Sequence, residues 1–382
     1  PARRTRIAAL ASIAMRIATR AGRRRAARLR GPALQEGILY TVLGFLDERD
    51  DASVVRVCKD YAALRRAFVL RCGCDCKQLW NVCYSSDGRY VATDAGRDIS
   101  IYDSTTGQLC YRHTNYDMGA GREVRALAFS DEPGLTFAAG GIDHVGEVDF
   151  CSLYVDGALR HTWQREGVVW AVAFSPGGAT LAAGGQDEKV TLYDTTTYEV
   201  RKELFRDGEV NAVAFSPDGQ RLACGGDDAL LAVYDLATGA TMRWERPGGN
   251  LIFTVKFSPD SSLVVAGNRF MMLAVYDAAT GARLRTLHFG GSVESSDFSR
   301  CGRWLAVGDF TGAVALFDAR DRFICRRVLR RGGAVPTVVF SPDSSTLAIG
   351  SWDNTVSLYD VETGELRRRR RESRSAVDAG KK

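Results

Sequence analysis

The chain has 382 residues, 45% of them hydrophobic and 25% charged, the values of an ordinary folded protein rather than a disordered one. No uncharged apolar run reaches the ~18 residues that a spanning helix needs, so neither a membrane segment nor a membrane partner is expected. The formal charge of +5 is unevenly placed: residues 1–31 hold ten Arg and no acid, residues 367–382 hold six Arg and two Lys against two acids, and the stretch between carries about −11.

Residues 1–31 set Ile7, Leu10, Ala14 and Ile17 at helical spacing among arginines. Such an acid-free segment suits a solvated arm, an import or nuclear signal, or a contact to RNA. The C-terminal tail 367–382 has the same charge and the same alternatives. Ten Cys at irregular spacings, with no secretory signal ahead of them, read as reduced thiols of an intracellular protein. Cytoplasm or nucleus is expected, with organelle import through the basic N-terminus as the alternative. Cys83, Cys224 and Cys301 fall in apolar strand-like surroundings. Cys72, Cys74 and Cys76 are spaced more tightly than zinc ligands normally are, so no metal is expected.

Residues 32–66 differ in kind. Ile38, Leu39, Val42, Leu43, Phe45 and Leu46 make one apolar helical face, acids at 47–51 interrupt it, and Val54, Val55, Val57 and Cys58 begin another. A helical pair of this size needs something to pack on. The order Leu34, Val42-Leu43, Phe45-Leu46-Asp47, Asp50, Val57-Cys58-Lys59 and Tyr61 resembles the F-box, with Val42 for Ile and Tyr61 for Trp. That resemblance implies docking of a Skp-type adaptor of a cullin-type ubiquitin ligase through Leu34, Val42, Leu43, Phe45, Leu46, Val57, Cys58 and Tyr61. The other reading is a helical cap covering an edge of the domain that follows.

From residue 67 to 366 one pattern returns. Around Val169 to Val200, apolar alternation is broken by Ser175-Pro176-Gly177-Gly178, resumes from Thr180 into Gly184-Gly185, and resumes again through Lys189–Tyr193 and Glu199–Phe205. Pro and Gly end strands because one lacks a donor and the other tolerates positive φ. Four strands in about forty residues is the unit of a β-propeller blade. First strands end in Tyr84, Phe129, Phe174, Phe215, Phe257, Phe298 and Phe340. Third strands end in Tyr102-Asp103, Tyr154, Tyr193-Asp194, Tyr234-Asp235, Tyr276-Asp277, Phe317-Asp318 and Tyr359-Asp360, the last five 41 or 42 residues apart. The expected fold is therefore mainly β, a seven-bladed propeller of four-stranded antiparallel blades behind a short F-box-like helical segment.

These units resemble WD repeats, with Tyr-Asp or Phe-Asp in place of Trp-Asp. The turn Asp of that family stands at Asp187, Asp228 and Asp353; Phe270 and Thr311 replace it in blades five and six. The preceding Gly-His pair is missing from most units, so the family's buried hydrogen-bond network is expected to be incomplete and apolar packing to take its place. For ring closure, Ala67–Arg71 is a better outer strand of blade seven than residues 365–370, whose arginines repel one another.

No P-loop, nucleophile elbow or dinucleotide fingerprint occurs, and His113, His144, His161 and His288 stand apart, so no enzyme activity, cofactor or small-molecule substrate is expected. In a propeller, the starts of first strands and the ends of second strands share one rim. Trp80, Arg125, Trp170, Asn211, Phe253, Arg269, Phe310 and Trp352 fall there, rich in residue types that carry interface energy. Asp187, Glu188, Asp227, Asp228 and Asp309 should make the same rim negative. The resemblance implies protein partners, either a ligase substrate presented on this rim or, for a non-ligase scaffold, an assembly whose RNA contacts come from the basic tails. A segment with apolar or basic residues fits better than a phosphorylated one, which needs an Arg cluster.

Overall fold

The pattern around Val169 folds as an antiparallel meander of Val169–Phe174, Thr180–Gly185, Lys189–Asp194 and Val200–Phe205, paired in that order. The computed structural model describes residues 69–71, 79–94, 98–113, 122–132, 134–144, 148–245 and 251–366, and in them this four-stranded sheet occurs seven times. All the F-box-like positions from Leu34 to Tyr61, the thiols Cys72, Cys74 and Cys76, and both basic ends lie outside the described residues. Each aromatic expected to end a first strand does so, from Tyr84 to Phe340. The first strands touch their neighbours in sequence around a ring, and the last, Thr337–Phe340, meets the first, Val82–Tyr84.

A single meander of this size cannot shelter its own faces. Here each sheet lies between two others, so the middle strands are buried on both sides, as in Lys189–Asp194 and Thr346–Ser351. The apolar core divides into layers, and each layer draws its residues from two consecutive blades. The third-strand aromatics Tyr102, Tyr154, Tyr193, Tyr234, Tyr276, Phe317 and Tyr359 are all buried in these layers.

Close approach between blades depends on glycine. A Cβ on Gly184 would stand 2.5 Å from Cγ1 of Val210 in the next blade, and one on Gly185 would overlap the carbonyl oxygen of Val168. Gly184→Ala meets a side chain that can shift, whereas Gly185→Ala meets backbone that cannot. The expected loss is about 1–3 kcal/mol for Gly184→Ala and more for Gly185→Ala, read from urea midpoints.

In every blade but the second, where Val155 follows Tyr154, the Asp after the third-strand aromatic closes the turn to the outer strand. Asp103, Asp194 and Asp277 each accept two main-chain N–H groups two and three residues on. Those N–H groups hold the carboxyls of Asp103, Asp235 and Asp277 below the usual range. The N–H of Thr197, with Arg201, takes Asp194 down to about 2. A depressed folded-state pKa contributes stability above the unfolded value and loses it as pH falls through the folded one. Melting temperature should therefore drop between about pH 4 and pH 2, with a shallower slope in Asp194→Asn, as circular dichroism would record.

The missing Gly-His pair is made good by a device not anticipated above. Arg165, the last residue of the outer strand before blade three, donates to Asp187 at 2.7 Å, to Thr191 at 2.5 Å and to the Tyr193 hydroxyl at 3.0 Å. Arg206 does the same to Asp228 at 2.7 Å in blade four, and Arg331 to Asp353 at 3.1 Å, with Thr355 and Tyr359, in blade seven. The expectation that apolar packing replaces the network is thus wrong for these three blades. It holds in blade six, where Phe289 packs edge-on against Phe317 with centroids 5.9 Å apart.

Blade seven is closed from the other end of the chain. Val69, Leu70 and Arg71 pair antiparallel with Ser357, Val356 and Thr355, as expected for Ala67–Arg71. Leu366 adds one bridge to Tyr359, farther along the same edge.

Candidate protein-interaction site

The residues at the rim owe their orientation to a repeated irregularity. Five first strands slip register at the same place, between Val124 and Ala126, Val169 and Ala171, Val210 and Ala212, Ile252 and Thr254, and Val293 and Ser295. The skipped residues are Arg125, Trp170, Asn211, Phe253 and Glu294. A bulged residue leaves the ladder and its side chain is re-aimed, here at the mouth of the central channel. In blade seven the corresponding residue is Pro336, which has no N–H to lose.

Five of the eight rim residues form one continuous arc. Phe310 packs edge-on against Trp352 (5.3 Å between centroids), and Trp352 packs likewise on Trp80 (5.2 Å). The Arg125 guanidinium lies 4.8 Å above the Trp80 ring and 6.0 Å from that of Trp170, a cation–π bridge between blades one and three. Glu123 holds that guanidinium at 3.0 Å, and the Trp170 indole donates to Glu209 at 3.0 Å. Phe310 is 51% exposed, and neither it nor the three tryptophans belongs to the core layers. Rings assembled this way without core duty are available for contact.

The other three rim residues stay out of the arc. Asn211 donates to Asp227 at 2.7 Å. Phe253 and the exposed Arg269 stand in blade five, where Arg269 faces Glu294, whose carboxyl burial pushes up.

The acidic rim needs correction. Asp187 and Asp228 are almost buried and neutralised by Arg165 and Arg206. Asp309 is also buried, its carboxylate accepting the N–H groups of Thr311 and Ala313, so it does for its hairpin what the absent turn Asp would do. What remains negative is Glu188 and Asp227, both exposed, with Glu209 and Glu294 half-buried beside them. Cys301 is likewise not a strand residue; it sits exposed in the turn before Trp304. The six described cysteines are free thiols, and no cluster with metal-binding composition occurs among the described residues.

Residues 157–194, 201–235 and 324–360 match the family model described as WD domain, G-beta repeat. The matched stretches contain the three Arg-to-Asp networks, Arg165 to Tyr193, Arg206 to Asp228 and Arg331 to Tyr359. The chain therefore carries WD repeats on a seven-bladed propeller. No curated protein matches the sequence.

Proposed function

We propose that this propeller, whose WD repeats place it among modules that generally serve protein–protein interaction, captures a polypeptide segment on the arc from Phe310 to Trp170. The observation that carries the reading is the arc itself: three Trp, one Phe and one Arg in mutual contact, outside the core and at one mouth of the channel. Beside it, Glu188, Asp227 and Glu209 favour a basic residue in the bound segment. The only arginine in the arc is already held by Glu123, which disfavours phosphate. Panning a peptide library on the purified chain tests this. Selected segments should pair aromatic or aliphatic residues with Lys or Arg; enrichment of acidic or phosphorylated segments would contradict it.

A finer reading makes the chain a substrate-recognition subunit of a cullin-type ubiquitin ligase. It rests on the F-box-like order from Leu34 to Tyr61, and the strand pairing of Val69–Arg71 with blade seven would tether such a segment close to the propeller. Co-purification with a Skp-type adaptor, lost in Leu43→Asp and Leu46→Asp while the propeller still melts normally, is the expected result. Absence of adaptor binding by the unmutated chain would favour a scaffold whose basic tails meet RNA, and retention would then fall steeply with salt.

A further inference from the structure

The mouth of blade one is held together differently from its neighbours. In blades two to four the first strand is laddered across its bulge against the second glycine of a Gly-Gly pair, where a Cβ would overlap backbone. In blade one the paired ladder stops at Val82 opposite Thr93, short of Trp80; Asp94 takes the place of the first glycine of the pair, and its own N–H makes one further bond, to the Asn81 carbonyl at 3.3 Å. Its buried carboxylate replaces the missing ladder. One oxygen accepts the main-chain N–H groups of Trp80 at 2.9 Å and Asn81 at 3.0 Å, and the other accepts the Asn81 amide at 2.5 Å. That amide also donates to the carbonyl of Arg125 at 2.9 Å, crossing into blade two. Trp80 and Arg125, the ring and the cation at the centre of the arc, are both tied to one side chain.

Resting on the reading of the arc as a binding surface, we propose that Asp94 is its positioning residue: the carboxylate fixes Trp80 and, through Asn81, the Arg125 bulge, so that neutralising it loosens the arc and weakens capture of a segment. Burial pushes the Asp94 carboxyl up to about 6, against the hydrogen bonds from Asn81 and Trp80 and the charge of Arg125. The ionisable groups on the strands packed against it are Cys83 and Tyr84, Tyr102 and Asp103, and Arg122, Glu123 and Arg125. Of these, Arg125 favours the carboxylate, and burial pushes the Cys83 thiol up and keeps it neutral. With a folded-state pKa above the ordinary 3.8, the fold gains most from this group below that value and loses the gain as pH rises through about 6. Positioning runs the other way, because only the carboxylate accepts all three N–H groups.

The test follows the indole N–H resonance of Trp80, assigned by its loss in Trp80→Phe, from pH 5 to 8 in the free protein. It should titrate with a midpoint near 6 in the wild type, hold one position in Asp94→Asn, and still titrate in Asn81→Ala, which cuts only the link to Arg125. A segment selected on the wild type should bind Asp94→Asn about tenfold more weakly at pH 8. A Trp80 resonance that neither titrates nor differs between wild type and Asp94→Asn overturns the proposal, as does undiminished binding by Asp94→Asn. Should no segment bind the wild type, the reading of the arc fails, while the titration still decides what Asp94 does.

Discussion

Arg165→Met is expected to lower the stability of the propeller by about 3–5 kcal/mol, the cost of leaving a buried carboxylate without its partner. Asp187 is 5% exposed at its side chain and Arg165 2%, so water cannot take over. One Asp187 oxygen and the Arg165 Nε have no hydrogen-bond partner even in the intact pair. The pair is therefore imperfectly satisfied, and the double variant Arg165→Met/Asp187→Leu should recover most of the loss. Arg206→Met should behave alike through Asp228, similarly enclosed. Arg331→Met should cost less, since Asp353 is 27% exposed. Urea midpoints of the four variants and the wild type measure this ranking. Equal stability of Arg165→Met and wild type would mean that the network contributes nothing.

The second large effect is on binding. Trp170→Ala and Trp352→Ala should each weaken a segment selected on the wild type by about 2 kcal/mol or more, roughly thirtyfold. Their melting temperatures should stay close to that of the wild type, because neither ring belongs to a core layer. Phe253→Ala should matter less, as no ring contact joins it to the arc among the described residues. Calorimetric titration separates the two predictions, since affinity and folding are read on one sample.

Blade count, strand ends and the closing strand at Val69–Arg71 were legible because each rests on local signals: an aromatic before Ser-Pro, Tyr-Asp before a turn, and an apolar run beside a charged one. The rim residues were legible as a class, since their position in the unit recurs. Their bulges were not, because a register slip depends on the partner strand. The acids were misread for a related reason. Asp187 and Asp228 look like surface charge until Arg165 and Arg206, each 22 residues upstream at the end of the previous blade's outer strand or just past it, are brought against them. That recurring interval, found again between Arg331 and Asp353, is the signal that would have revealed the network. Asp94 carried no such mark. Its role follows from where one ladder stops.

Oxidative footprinting of the tryptophans with and without a bound segment tests the central claim most directly. If the arc is the binding surface, Trp80, Trp170 and Trp352 become protected while Tyr111 and Phe205, exposed on the outer strands, stay as reactive as before. Protection of Tyr111 or Phe205 with the three tryptophans unchanged would place the partner on the circumference and contradict the account.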